Sequence, residues 1–338
     1  MRMNEIIAAA LATFAPPPAL TVSEWADRYR YLSPESSAEP GKWSTDRAPY
    51  QRGIMDSVAD PEVNQVVIMS SAQIGKTAMI ENVVAFFISQ DPSAILLLQP
   101  TLEMAGAFSK DRLAGMLRDT PALRGLVKDA RARDSGNTQL HKQFPGGHIT
   151  MTGANSPANL ASRPIRIVLC DEVDRYPESA GTEGDPVALA IKRTATYWNR
   201  KIILTSTPTI KDLSRIEHAF LQSDQRRYWV PCPECGEHQV LKWGNVKWDE
   251  GRPETAAYYC EHCGAQIGEE HKPAMLLAGE WRADLPFAGI AGFHLNELYS
   301  PWRRWSEIAV DFLAAKHGGS ELLKAWVNTS LGEVWEEQ

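Results

Sequence analysis

The chain has 338 residues, a formal net charge of −7, 43% hydrophobic and 23% charged residues; this suits one large domain or a domain with a small module. No run of about 18 apolar residues marks a membrane-spanning helix, and the acidic balance argues against permanent coating by nucleic acid while leaving local contacts open. Of five cysteines, four form two Cys-x-x-Cys pairs, which favours a metal over disulfides in a chain without a secretory layout.

Glu5 to Phe14 is apolar but runs into Ala15-Pro16-Pro17-Pro18, a short helix and a stiff linker rather than a signal peptide. A second short helix opens at Ser23, and Ser33 to Trp43 is rich in Ser, Pro and Glu, so residues 1–45 are expected to form a peripheral arm. Pro49 then sits in the first turn of a helix through Val58. It carries Tyr50 and Gln51, an aromatic ring able to stack on adenine and an amide able to bond its N6 and N7.

Val66-Val67-Ile68-Met69 reads as a buried strand, followed by Ser70-Ser71-Ala72-Gln73-Ile74-Gly75-Lys76-Thr77 and a helix from Thr77 to Ser89. Strand, tight loop and Gly-Lys-Thr form a phosphate-binding P-loop, in which backbone N–H groups and a helix N-terminus face phosphate oxygens. Lys76 would reach the β- and γ-phosphates and the Thr77 hydroxyl would ligate Mg²⁺. Ser70 stands where the full motif has its first glycine.

Three further apolar runs end in polar residues. Ala94 to Leu98 ends in Gln99-Pro100-Thr101 and leads to a helix from Leu102 to Leu117; Arg166 to Cys170 ends in Asp171-Glu172; Ile202 to Leu204 ends in Thr205-Ser206-Thr207-Pro208. Between the first two, Gln143 to Thr152 suggests a hairpin around Pro-Gly-Gly. Strand–helix alternation predicts a parallel sheet flanked by helices, with ligands at the carboxyl ends of the strands. On a strand beside the P-loop strand, Asp171 would hold Mg²⁺ through water and Glu172 would polarise the attacking water. Ser206 and Thr207 would sense the γ-phosphate and relay its loss. The expected class is an α/β P-loop NTPase of the RecA/helicase-like kind, its core spanning residues 46–225.

Cys232-Pro233-Glu234-Cys235-Gly236 and Cys260-Glu261-His262-Cys263-Gly264 are two like knuckles separated by 24 residues. Each turn presents two thiolates, and four converging thiolates make a closed structural Zn²⁺ site. Residues 226–270 are therefore expected to form a zinc-ribbon-like β module. Cys170, inside an apolar run, reads as core. Eight of eleven tryptophans lie at or beyond Trp229, and residues 271–338 are expected to form a C-terminal helical subdomain and linker.

These stretches together resemble the ATPase part of the large terminase subunit of tailed bacteriophages, of the lambda-like type. The resemblance rests on Pro49-Tyr50-Gln51, Ser71 to Thr77, Gln99-Pro100-Thr101, Leu169 to Asp174, Leu204 to Thr209, the two knuckles, and Val327-Asn328-Thr329-Ser330-Leu331-Gly332-Glu333. It implies ATP and Mg²⁺, with nucleotide contacts from Tyr50, Gln51, Ser71, Gln73, Gly75, Lys76 and Thr77, metal contacts from Thr77 and Asp171, and catalysis by Glu172 and Lys76. It also implies a motor that pumps double-stranded DNA into a procapsid in the host cytoplasm, as a homo-oligomeric ring working with a small subunit and a portal. In that family an RNase H-like nuclease domain follows, whose acidic residues are expected beyond residue 338, so nuclease activity is not expected from these residues. Many relatives carry a basic residue where this chain has Ala72, and an arginine near the position of Ala161. Arg163 is the candidate to act on the γ-phosphate of a neighbouring subunit, with Arg193 and Arg200 as further candidates. The competing readings are a DNA helicase or remodeller, and a zinc-containing DNA-binding assembly protein with weak ATPase.

Overall fold

A computed structural model describes residues 19–35, 37–127, 137–156 and 163–337. The helix expected near the N-terminus and Ala161 lie outside the described residues. Helix α1 (Val22–Tyr29) starts with a capping box in which the Thr21 hydroxyl accepts from Glu24 N and the Glu24 carboxylate accepts from Thr21 N. A two-stranded ribbon of β1 (Tyr31–Leu32) and β2 (Gly41–Lys42) follows, then α2 (Tyr50–Ala59). The expected peripheral arm is corrected here from residue 19 onward. Val22, Trp25, Ala26 and Trp43 are buried in the main core, and Arg30 forms a buried ion pair with Glu81.

The chain then lays down β3 (Gln65–Ser70), α3 (Lys76–Ser89) and β4 (Ala94–Gln99). Helix α4 comprises Leu102–Ala107, a π-helical stretch Phe108–Leu113 and Ala114–Asp119. The hairpin β5 (His141–Phe144) and β6 (Gly147–Gly153) follows, then β7 (Ile167–Asp171), α5 (Pro186–Lys192), β8 (Lys201–Ser206) and α6 (Arg215–Leu221). In β3, β4, β7 and β8 nearly every residue is buried, as expected of strands covered on both faces. Residues alternate between two cores: Val66 and Ile68 face one, Val67 and Met69 the other; Ile167 and Leu169 face the first, Val168 and Cys170 the second. That is the two-residue period of a strand packed on both sides.

The later chain adds β9 (Arg226–Pro231), β10 (His238–Val240), a separate sheet of β11 (Val246–Asp249), β12 (Arg252–Tyr259) and β13 (Gln266–Ile267), then α7 (Lys272–Leu277), β14 (Glu280–Arg282), β15 (Ile290–Leu295), α8 (Trp305–His317) and α9 (Ser320–Trp326). Among the described residues the main sheet has the order β10-β9-β15-β3-β8-β7-β4-β6-β5, with β14 on β9. The strands from β9 through β6 are mutually parallel. Two expectations change. The Asp171 strand is not beside the P-loop strand, because β8 lies between β3 and β7. The sheet also does not end at residue 225: β15 pairs with β3 along its whole length, Ile290 opposite Gln65 to Leu295 opposite Ser70, and β9 and β10 extend the same edge. Residues 226–270 and 271–338 are thus partly built into the central sheet rather than appended to it.

Candidate nucleotide site

The carboxyl ends of β3, β8, β7 and β4 bring together Ser70, Ser206, Asp171 and Gln99. After β3 the loop turns through two left-handed residues, Gln73 (φ 54°) and Gly75 (φ 84°), and α3 starts at Lys76. A Cβ on Gly75 would lie 2.3 Å from Gln51 Nε2, so this close approach needs glycine as well as the positive φ. Ser71 N donates to Leu295 O (2.9 Å) and Ala72 N donates to Thr329 O (2.7 Å), while the first bond back into the helix is Met79 N to Gly75 O (3.1 Å). Between them the N–H groups of residues 73–77 have no backbone acceptor among the described residues. Such a run of free N–H groups at a helix N-terminus is an anion-binding nest. Ser71 Oγ is buried there without a hydrogen-bond partner among the described residues, and the buried Lys76 Nζ makes no well-aligned hydrogen bond, having the Glu172 carboxylate as its ion-pair partner. An unpartnered hydroxyl and an ammonium held by one carboxylate, beside open N–H groups, fit a bound phosphate chain.

Lys76 Nζ lies 3.3 Å from Glu172 Oε1. Burial pulls the ammonium pKa down, and the carboxylates of Glu172 and Asp171 oppose that shift. Asp171, 6% exposed, accepts from Thr205 Oγ1 (2.7 Å) and Gln99 Nε2 (3.1 Å). Burial pushes its carboxyl up, and the Thr205 bond is the largest opposing effect. Glu172 adopts a left-handed backbone (φ 56°), an uncommon conformation that recurs at functional sites. It aims the carboxylate at Lys76, with Thr207 Oγ1 at 3.4 Å and Arg175 Nε at 3.8 Å from Oε2. Ser206 Oγ accepts from Asp174 N (3.2 Å), tying β8 to the turn after the acid pair.

The remaining expected residues divide. Gln51 is buried and donates to Ile74 O (2.9 Å); it also lines a cavity of about 260 Å³ with Trp43, Arg47, Glu39 and Trp302. Tyr50 is corrected: it is 0% exposed, its hydroxyl donates to Ile74 O, and its ring packs edge-on against Tyr228. It supports the loop from below and cannot stack on a base. The aromatic ring that borders Gly75 and lines the cavity with Gln51 is instead Trp302, whose edge atom Cη2 would lie 3.5 Å from a Cβ on Gly75. Gln73 lies on the loop, exposed, its carbonyl accepting from Ser300 Oγ (2.9 Å), and Thr77 is the second residue of α3. Arg163 is not in this cluster. It precedes β7 at the end opposite Asp171, where its charge acts on His141 and His148. The reading from sequence missed Arg175 and Trp302 as site residues. Arg175 carries a signal, a basic residue one helical turn after the acid pair, whereas Trp302 arrives from a distant part of the chain with none.

The four knuckle cysteines also converge. Their sulfurs lie within 4.8 Å of one another, with Cys232 to Cys263 and Cys235 to Cys260 both 3.9 Å apart. A tetrahedron with Zn–S bonds of about 2.3 Å puts sulfurs about 3.8 Å apart. The two turns are twins: Gly236 N donates to Cys232 O and Gly264 N to Cys260 O, with φ 78° and 73° at the glycines. His262 is turned away, Nε2 bonding His238 O (3.2 Å).

Fold and site together define a P-loop NTPase. The chain belongs to the phage terminase large subunit family of the gpA type: the family model for "Phage terminase large subunit gpA, ATPase domain" matches residues 37–281. A second model, "Terminase large subunit gpA, endonuclease domain", matches residues 290–338. The large terminase subunit of Enterobacteria phage P21 is 34% identical over 98% of this chain and 55% of its own length, and that of Escherichia phage lambda 30% identical over 99% and 56%. The chain thus spans little more than half the length of these relatives. The large terminase ATPase domain of Thermus phage P74-26 covers 86% of this chain and 96% of its own, at 14% identity and a TM-score of 0.48. Among the described residues no helix is long and apolar enough to cross a membrane.

Proposed function

We propose that this chain is an Mg²⁺-dependent ATPase that drives packaging of double-stranded DNA into a procapsid, acting in the host cytoplasm with a small subunit and a portal. The observation that carries the ATPase reading is the buried Lys76 ammonium, paired with the Glu172 carboxylate and set beside the open N–H groups of residues 73–77. The triphosphate takes Lys76 and the loop N–H groups. Adenine occupies the cavity of about 260 Å³, where Gln51 supplies the amide and Trp302 the aromatic face. Thr77 and Asp171 hold Mg²⁺, which when bound neutralises charge on the β- and γ-phosphates. Glu172 accepts the proton of the attacking water, and Ser206 and Thr207 connect that event to β8. Arg163, exposed at the far end of β7, is free to serve the γ-phosphate of a neighbouring subunit across a ring. No nuclease centre is assigned to residues 290–338; β15, within that stretch, being a strand of the ATPase sheet supports this.

The test is steady-state release of phosphate from ATP, with and without Mg²⁺ and with and without double-stranded DNA. Turnover that requires Mg²⁺, rises with DNA and is lost in Lys76→Ala is the expected result. Turnover in Lys76→Ala equal to that of the unaltered chain would dismiss the reading.

The cysteine cluster holds one structural Zn²⁺ in this proposal. Elemental analysis of the purified chain should give about one zinc per chain. Chelation should lower the melting temperature without a fall in ATP affinity that precedes unfolding, because among the described residues no hydrogen bond or ion pair links the knuckles to the phosphate loop. Metal-free protein with four freely titrating thiols and an unchanged melting temperature would remove the zinc.

A further inference from the structure

The stretch after α9 is the least expected partner of the P-loop. It winds through a π-helical turn, Val327–Leu331, and leaves it at Gly332 with φ 64°. There it touches the nucleotide site on two sides. On the first, Thr329 O accepts the Ala72 N–H (2.7 Å). Gly332 lies so close to the loop entry that a Cβ would sit 2.6 Å from Ser71 N, and its carbonyl meets His294 Nε2 of β15 (3.0 Å). On the second side, Asn328 Nδ2 donates to Thr209 O (2.7 Å) and to Glu333 O (2.8 Å). Trp335 N donates to the same Thr209 carbonyl (2.8 Å), and Lys211 N donates to Trp335 O (3.0 Å). Thr209 in turn bonds Asp174 through its hydroxyl (2.9 Å), and Thr207, two residues before it, reaches Glu172.

One short segment therefore joins the entry of the phosphate loop to the loop after β8, the two places where a γ-phosphate comes and goes. The Ala72 N–H has a single proton. Thr329 O takes it, directly before the open N–H groups of residues 73–77, so a phosphate that draws this loop onto itself pulls on the bond to the segment. Asn328, 9% exposed, closes the other end of the bracket with two bonds from one amide.

We propose that Asn328 is a positioning residue for ATP hydrolysis, clamping residues 327–335 to Thr209 so that the hold of this segment on the P-loop changes with the nucleotide bound and is passed to the chain beyond Trp335. This rests on the ATPase reading above. No nucleotide need touch Asn328. A ligand shifts an equilibrium only through a difference in what it contacts in the two states, and here that difference is the filling of the N–H groups of residues 73–77, next to the Ala72–Thr329 bond.

The experiment is amide hydrogen exchange on the unaltered chain, with Mg²⁺ and a non-hydrolysable ATP analogue, with ADP, and with neither. Peptides covering 72–79 report nucleotide binding, and those covering 327–335 report the segment. The expected result is protection of 72–79 by the analogue together with a change of about tenfold in exchange of 327–335 relative to ADP. Asn328→Ala should keep protection of 72–79, lose the change at 327–335, and lower kcat about tenfold with KM for ATP within about twofold. Asn328→Gln, which keeps the amide donor, should recover part of kcat, and Asn328→Asp, which has no donor, should not. Protection of 72–79 with exchange of 327–335 identical in all three conditions overturns the inference while sparing the ATPase reading. Absence of protection at 72–79 removes that reading, and the inference with it. The comparison on the unaltered chain stands even where a variant does not fold.

Discussion

Replacing Glu172 by glutamine is expected to lower kcat for ATP hydrolysis by about 10²–10⁴-fold while ATP affinity is kept or slightly raised. The carboxylate has two jobs, separated in time. In the structure it lies 3.3 Å from Lys76 Nζ and gives a buried ammonium its counter-charge. When the phosphates arrive they take over that ammonium, and the carboxylate is left beside Thr207 and Arg175, free to accept a proton from water. Glutamine cannot accept that proton, so turnover falls. It also offers Lys76 a neutral amide oxygen in place of a carboxylate, so the phosphates meet a weaker competitor, and affinity does not fall. Lys76→Ala has the opposite signature, because the buried ammonium facing the nest is gone and binding goes first. Single-turnover hydrolysis in the presence of DNA, with titration of a fluorescent ATP analogue, separates the two. A Glu172→Gln chain that hydrolyses within tenfold of the unaltered one would take the base role away from Glu172.

How much of this site was readable in advance follows from the physics of each element. A parallel strand covered on both faces is an unbroken apolar run, and the polar residues that end it mark the ligand side of the sheet. For this reason β3 with its loop, Asp171-Glu172 where β7 ends, and Thr205 and Ser206 at the end of β8 stand out in the sequence. The knuckles stand out because a Cys-x-x-Cys-Gly turn is specified locally, down to the positive φ of Gly236 and Gly264. Strand order is different, since it depends on pairing between distant segments. Nothing in the residues of β7 says that β8 separates it from β3. β15 was missed because Ile290-Ala291-Gly292-Phe293-His294-Leu295 interrupts its apolar run with glycine and histidine. Both make sense only in place: a Cβ on Gly292 would meet Ser223 Oγ at 1.8 Å, and His294 is buried between Arg227 and the Gly332 carbonyl. Burial, and then the charge of Arg227, lower its pKa to about 3, so it is neutral and can give its one N–H to that carbonyl. Tyr50 was misread for a related reason. A tyrosine next to a glutamine near a P-loop suits a base-binding pair, and only the packing of Tyr228 and Ile74 around it shows the ring committed to the core.

The segment read as a peripheral arm carries the other large expected effect: Arg30→Met should destabilise the chain by about 3–5 kcal/mol. Arg30 is 2% exposed and Glu81, its partner on α3, 4%. The guanidinium also donates to Asn82 Oδ1 (3.2 Å), to the Tyr31 carbonyl and to Thr120 Oγ1 (3.4 Å). Burial lowers the pKa of Arg30 and raises that of Glu81, each opposed by the other's charge, so both groups would fare worse alone. Methionine fills similar volume but leaves a carboxylate, an amide oxygen and a carbonyl without their donor in a site closed to water. The cost comes from that stranded charge rather than from the worth of the pair, and a second substitution separates the two. Arg30→Met with Glu81→Leu removes both charges and should return most of the loss, since an apolar pair of like volume often matches or exceeds a buried ion pair. Urea unfolding of the four proteins in the cycle supplies the coupling. A loss below about 1 kcal/mol in Arg30→Met would show that water reaches Glu81. Because α3 begins at Lys76, the same cycle reaches the chemistry. A single substitution that loosens the middle of this helix should weaken ATP binding along with stability, and the double substitution should restore both together. Stability restored without affinity would mean that the ion pair also sets the angle at which α3 presents its N-terminus to phosphate.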